Sequence, residues 1–231
     1  MPPLDKAHDA YGQLLLAVLE GRDCHEITER DDGFVYAGDP SEYLAPYRKW
    51  PATEKRAFRF VRGHVLDVGC GAGRAALALQ EKGLDVVAID ESPLAVEVAR
   101  RRGVLDARAL SLADVGPELG VFDTVLILRN NMGLAGTDAA GRHLLERLHT
   151  LTSERGRIVT DSVDPTRLPP EHRRTAGRRI RVRFQSYASP WFRYAMVAPE
   201  EVEPLVRGTG WRVARMLDDG SPRYGIVLEK S

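Results

Sequence analysis

From Val65 onward, short strand-forming runs alternate with helical stretches, an order that dictates a mostly parallel sheet flanked by helices. VLDVG (65–69) is the first such strand, and the helical stretch Arg74–Lys82, apolar at Ala75, Ala76, Leu77 and Leu79, stops at Gly83. DVVAI (85–89) follows, and Ser92 and Pro93 then open a helix that runs to Arg102 and is stopped by Gly103. A weaker strand lies within Val104–Leu110, and a clear one is FDTVLIL (122–128). Thr137 and Asp138 begin a helix through HLLERLHTL that Gly156 ends, and RIVTDS (157–162) is the fifth strand. A helix near Glu200–Arg207, which Pro204 starts, kinks or shortens, leads to WRVARML (211–217) and YGIVLEK (224–230). The turn-rich DDGSPR between those two runs makes them an antiparallel hairpin.

Two segments lie outside this alternation. Residues 1–62 carry a helical stretch near Tyr11–Leu19 and an aromatic, turn-rich passage with Tyr36, Tyr43, Tyr47 and Trp50. Residues 164–198 carry a Pro- and Arg-rich linker and then RRIRVRFQSY, whose alternation of basic and apolar residues reads as an exposed edge strand guarded by charge. At 231 residues the chain is expected to form one domain. Its parts are residues 1–62, a lid; 63–163, the core; 164–198, an insertion; and 199–231, the closing helix and hairpin.

Basic and acidic residues balance at 33 each, so no global positive field draws the protein onto nucleic acid or anionic membrane. The Arg group at 173, 174, 178, 179, 181 and 183 is the one local basic patch that such a role would use. Cys24 and Cys70 sit in unlike contexts and build neither a disulfide framework nor a zinc site, so no metal is expected. The N-terminal stretch shows no leader pattern, and its apolar run Leu14–Leu19 is too short to span a bilayer. The expectation is a cytoplasmic protein, monomeric or homodimeric, without membrane partners.

The turn after the first strand, GCGAG (69–73), places three glycines where a parallel sheet binds ligands, and their lack of Cβ lets a ligand come close. A dinucleotide fingerprint needs glycine or alanine three residues after Gly71, and Arg74 stands there. A P-loop fails because no Gly-Lys-Ser/Thr follows. Asp90, at the end of the second strand, is placed to accept hydrogen bonds from both hydroxyls of a ribose, or else to serve as a helix N-terminal acid.

With VLDVGCGAG (65–73), VVAIDES (86–92), FDTVLIL (122–128) and the closing hairpin, the chain resembles the class I S-adenosylmethionine-dependent methyltransferases over residues 60–163 and 198–230. The resemblance implies an α/β, Rossmann-like seven-stranded sheet, mostly parallel with an antiparallel last strand and helices on both faces. It implies S-adenosyl-L-methionine as cofactor and S-adenosyl-L-homocysteine as product. Asp67, Gly69, Cys70, Gly71 and Gly73 would shape the methionine end of the site. Asp90 would take the ribose, and Glu91 and Ser92 the adenosine. Ser111 and Leu112 stand where the family usually has an acid for adenine. Arg129 and Asn130 become cofactor neighbours and Asn131 an acceptor neighbour, while a tight turn remains the other reading of that stretch.

A sulfonium methyl is already activated, so alignment and desolvation dominate and a base is needed only for an acceptor that must lose a proton. Asp161 is the best-placed carboxylate for that role, with a turn cap as its alternative. Tyr36 and Trp191 are candidates for the acceptor wall. His64, His143 and His149 read as structural. The first function reading is a methyltransferase acting on a small-molecule acceptor. Methylation of RNA or protein through the Arg-rich insertion, a non-catalytic S-adenosylmethionine-binding protein, and a dinucleotide-dependent oxidoreductase are the others.

Overall fold

The computed structural model describes residues 4–5, 7–175 and 177–231; the leader reading of the first three residues lies outside them. In chain order the first elements are α1 (Ala10–Leu19), β1 (Glu26–Arg30), β2 (Val35–Gly38), α2 (Ala52–Phe58) and β3 (Val65–Val68). Next come α3 (Arg74–Gln80), β4 (Val86–Asp90), α4 (Pro93–Arg101), β5 (Ala107–Ala109), β6 (Phe122–Ile127), α5 (Asp138–Thr150) and β7 (Thr152–Val163). The last are α6 (Pro170–Arg173), β8 (Arg179–Phe184), β9 (Tyr187–Ala188), β10 (Phe192–Arg193), α7 (Pro199–Val206), β11 (Trp211–Leu217) and β12 (Arg223–Lys230).

Seven strands form one sheet in the order β11-β12-β7-β6-β3-β4-β5. β4 pairs with β5, and β6 with β7, in parallel, whereas β12 runs antiparallel to both β7 and β11. This is the expected mixed α/β sheet. β3 and β4 are buried at every position, as strands covered on both faces must be. One boundary differs from expectation: α5 ends at Thr150 and β7 begins at Thr152, well before Gly156. The Thr152 hydroxyl turns back to the Leu148 and His149 carbonyls, closing the helix early. A bulge, with Phe122 opposite Thr152 and Thr124 opposite Arg157, then absorbs the intervening residues. α7 carries Pro204 and stops two residues later, at Val206.

Two compact units can be described. The first holds the chain up to Trp50, Asp67–Asp114 and Arg179–Phe192. The second holds Pro51–Leu66, Val115–Arg178 and Arg193–Ser231.

In the first unit, β8 is no edge strand. It pairs antiparallel with β1 on one side and with β9 on the other, within a second sheet ordered β10-β8-β1-β2. Of the basic residues that suggested a solvated edge, Arg181 lies opposite Glu29, and Arg183, opposite Ile27, reaches the same carboxylate. Glu29 accepts from Arg181 Nε at 2.9 Å and from Arg183 Nη1 at 3.1 Å, which holds its carboxyl below the usual range. Charge pairing with β1 therefore accounts for Arg181 and Arg183 of β8.

α1 is apolar around most of its circumference, as a helix buried on two sides must be. Ala10, Leu14 and Ala17 pack on Phe184 of β8, and Leu15 packs on Ala72, Ala95 and Val98. The N-terminal and inserted segments thus build one cap on this unit. Truncating Phe184, 5% exposed, to Ala is expected to cost about 3–5 kcal/mol of unfolding free energy. Urea denaturation measures it, and a loss below about 1 kcal/mol would contradict the packing of α1 on β8.

Candidate functional site

The first unit builds its site around the turn from β3 into α3. Gly69, Gly71 and Gly73 all have left-handed backbones, with φ of 69°, 53° and 74°. Their bareness is required: a Cβ on Gly73 would lie 2.4 Å from Val104 Cγ2, and one on Gly71 2.8 Å from the Tyr11 hydroxyl oxygen. Gly69 and Cys70 N–H both donate to the Ile89 carbonyl, so the turn is pinned to the end of β4.

Asp90 ends β4, and its carboxylate is aimed by the backbone. Gly71 N–H donates to Oδ2 at 2.8 Å and Ser92 N–H to Oδ1 at 2.9 Å. Burial nevertheless pushes its pKa up to about 6. Ser92 caps α4 by accepting from Ala95 N–H, while Glu91 beside it is exposed. Leu110 N–H donates to the Asp90 carbonyl, which brings the half-buried Ser111 and Leu112 beside Asp90.

Asp67, 3% exposed, accepts from Ala76 N–H near the start of α3, while its Oδ2 is buried without a hydrogen-bond partner. Burial is the largest cause that pushes its pKa up to about 7. An orphaned buried acceptor is costly unless a donor arrives from outside the protein. The Cys70 thiol is also raised, chiefly by burial and then by Asp90 and Asp67, and stays neutral.

The aromatics of the N-terminal segment divide their roles. Tyr43 meets Tyr11 edge-on and donates to Glu26 Oε2 at 2.5 Å. Trp50 stacks on the guanidinium of Arg74 at 4.2 Å, and Tyr47 takes Lys82 at 4.7 Å. Arg74 thus belongs to a cation–π pair on α3. Tyr36, half-buried on β2, lies opposite Thr28 and has its hydroxyl pKa raised by burial. Trp191, 37% exposed, lies under the Arg181 guanidinium at 4.6 Å.

In the second unit, the turn after β6 is left-handed at two residues that are not glycine, Arg129 (φ 66°) and Asn130 (φ 59°). Such strain, of order 1 kcal/mol or more per residue, persists only where the surroundings over-determine it. Here Asp161 Oδ1 accepts Asn130 N–H at 2.7 Å, Asn130 Nδ2 donates to the Ala195 carbonyl at 2.9 Å, and the Ser162 hydroxyl donates to Asn130 Oδ1. Asp161 is 1% exposed, and Oδ2 accepts from Arg223 Nη1 at 2.9 Å. Both of its oxygens are committed, although burial still raises its pKa. Arg129 reaches the buried Glu54 at 3.4 Å, and the half-buried Asn131 opens a short 3-10 turn to Ala135.

His64 accompanies Phe122 in a tilted ring pair, and His149 stands edge-on to Trp211. Among the described residues, no group of three or more His, Cys, Asp or Glu is placed to hold a metal ion, and no helix is long and apolar enough to cross a membrane. Sequence reasoning passed over Asp9, Tyr11, Gly12, Glu54 and Arg223. Asp9 alone left a local signal, an acid directly before a helical run.

The buried acids set the pH response of the ligand-free protein. The folded pKa values of Asp67 and Asp90, about 7 and about 6, lie above the ordinary carboxylate value, so protonation favours folding. Their contribution is complete below about pH 4 and is lost as pH rises through 6 and 7. Asp218, held at about 2 chiefly by Arg167, acts in the opposite sense and only below pH 4. The ligand-free protein is therefore expected to melt higher at pH 5 than at pH 8. Asp67→Asn should raise stability at pH 8 by on the order of 1–2 kcal/mol and flatten that slope. Thermal melts across pH 4–8 check both expectations, and an unchanged slope in the variant would remove Asp67 as its source.

A family profile described as a methyltransferase domain matches residues 65–156. A solved S-adenosylmethionine-dependent methyltransferase from Bacteroides fragilis, in complex with S-adenosyl-L-homocysteine, is 25% identical with a TM-score of 0.87, over 99% of this chain and 98% of that one. A magnesium-protoporphyrin O-methyltransferase from Rhodobacter capsulatus is 38% identical over 28% of this chain. A ubiquinone biosynthesis O-methyltransferase from Methylocella silvestris is 38% identical over 31% of it. The matched segments span 30% and 31% of the length of those two curated relatives. A glycine turn pinned to β4, an aimed acid at the end of that strand and the antiparallel β12 agree with the likeness to the whole-length structure. Residues 65–156 thus match a methyltransferase domain, and along its whole length the chain is similar to a solved S-adenosylmethionine-dependent methyltransferase.

Proposed function

We propose that this protein is an enzyme that binds S-adenosyl-L-methionine and transfers its methyl group by direct displacement to a small-molecule acceptor, leaving S-adenosyl-L-homocysteine. The observation that carries the reading is Asp67, whose buried Oδ2 lacks a donor from the protein beside a turn bare of side chains. A cationic amine such as that of the cofactor's methionine end would supply the missing donor. Asp67, Gly69, Cys70, Gly71 and Gly73 would hold that end. Asp90 would accept the ribose hydroxyls on the lone pairs that Gly71 and Ser92 leave open, with Glu91 and Ser92 beside the adenosine. Ser111 and Leu112, tethered through Leu110, would flank the adenine.

When bound, the cofactor supplies a methyl group on a sulfonium that is already activated toward a nucleophile. The protein's part is then to orient and to exclude water, worth up to several kcal/mol where reacting atoms are aligned. Asp161 serves in this reading as a positioning group: its two oxygens hold the Asn130 turn and Arg223. Asn130 is likewise committed through its side chain, which leaves Arg129 and Asn131 as the residues of that turn proposed to meet ligands. Tyr36 and Trp191 are proposed for the acceptor side.

The names of the two curated relatives support a small organic acceptor. The sharing of Glu29 by Arg181 and Arg183 counts against a nucleic-acid footprint on β8, because it offsets part of the charge that a polyanion would meet there. The free thiols of Cys24 and Cys70 support a reducing cytoplasm. Incubation with S-adenosyl-L-methionine and a panel of phenolic, carboxylic and amine acceptors tests the activity, and no S-adenosyl-L-homocysteine formed with any of them would favour the non-catalytic alternative. Asp90→Ala is expected to weaken S-adenosyl-L-homocysteine binding at least tenfold, on the order of 1.4 kcal/mol. Unchanged affinity by calorimetry would remove Asp90 from the ribose role.

A further inference from the structure

Helix α1, the glycine turn and the start of α4 meet around one buried carboxylate. Asp9 is 1% exposed, and its Oδ1 accepts Gly12 N–H at 2.8 Å. Its Oδ2 accepts the Ser92 hydroxyl at 2.8 Å and Leu94 N–H at 3.3 Å. One side chain therefore caps α1 and also satisfies the opening turn of α4. Ser92 N–H donates in turn to Asp90, and Asp90 accepts Gly71 N–H.

The ring closes through α1 itself, since the Tyr11 hydroxyl oxygen lies 2.8 Å from where a Cβ of Gly71 would stand. Gly12 is the notch that permits this approach. A Cβ there would meet Ser92 Oγ at 2.4 Å and Asp9 Oδ1 at 2.6 Å. Glycine is a poor helix former, so its place inside α1 is explained by the close approach and not by the helix.

We propose that Asp9 is a positioning residue, a latch that fixes α1 and with it Tyr11 over Gly71, so that cofactor binding and the docking of α1 reinforce one another. The proposal rests on the assignment of S-adenosyl-L-methionine to the glycine turn. Because such coupling is reciprocal, whatever undocks α1 weakens the cofactor by the same factor that the cofactor tightens α1.

The test titrates S-adenosyl-L-homocysteine into the 231-residue chain by calorimetry and follows hydrogen exchange of residues 10–19 with and without it. In the unaltered chain the ligand is expected to slow exchange in α1 about tenfold or more. Asp9→Ala and Gly12→Ala should each weaken the ligand about tenfold and abolish that protection, with exchange in β6 and β7 unchanged. Gly12→Ala undocks α1 by steric clash and leaves the carboxylate in place, so a merely structural α1 predicts faster exchange in both variants with the ligand affinity unchanged. Unchanged affinity in both variants, or α1 exchange in the unaltered chain that ignores the ligand, would overturn the latch. The second readout decides even where a variant fails to fold. An unaltered chain that does not bind S-adenosyl-L-homocysteine at all would overturn the cofactor assignment, and the latch with it.

Discussion

Buried negative charge held by backbone N–H groups is the constraint around which the first unit is organised. Asp9, Asp67 and Asp90 are each under a tenth exposed, and each accepts from amides at or near the opening turn of a helix: α1 and α4, α3, and α4 in turn. Helix N-termini carry unpaired donors and a positive dipole end, so they stabilise a carboxylate without bringing a cation into the site. The arrangement leaves spare acceptor capacity facing a bare turn. It also raises Asp67 and Asp90 toward neutrality, because amides offset only part of the desolvation.

The second unit solves a different problem with the same residue type. Asp161 must hold a turn that is left-handed at Arg129 and Asn130, and it does so with one oxygen on an amide and the other on Arg223. A carboxylate that is committed at both ends is well suited to fix geometry and poorly suited to take a proton. Buried acids are therefore used in contrasting ways: Asp67 keeps one oxygen without a hydrogen-bond partner, whereas Asp161 is committed at both.

What could be read from the sequence follows from the range of the interactions. The seven-stranded sheet was legible because its central strands β3, β4 and β6 are buried, mostly apolar runs bounded by turn signals; the glycines and Asp90 follow from spacing within that frame, and Asp67 from the family resemblance. The second sheet was not, because β1 is short and polar, β2 has only four residues, and β8 carries arginines that, taken alone, read as a solvated edge. Only the partner strand, with Glu29 opposite Arg181, shows those charges to be paired. Asp9 was missed for the same reason: its bond to Ser92 spans 83 residues, and no local pattern encodes it.

The cap has a consequence for how the chain is made. Glu29 and Arg181 lie 152 residues apart, so the side of β1 away from β2 and the flank of α1 that Phe184 covers wait for their partners until those 152 residues have been synthesised. At about 5–20 residues per second that interval is on the order of 8–30 s. Throughout it the flank of α1 that Phe184 covers faces water, and the nascent segment presents a sticky helix and an unpaired strand edge, the kind of surface that chaperones bind. The segment that opens the cap thus waits, exposed, for the one that closes it.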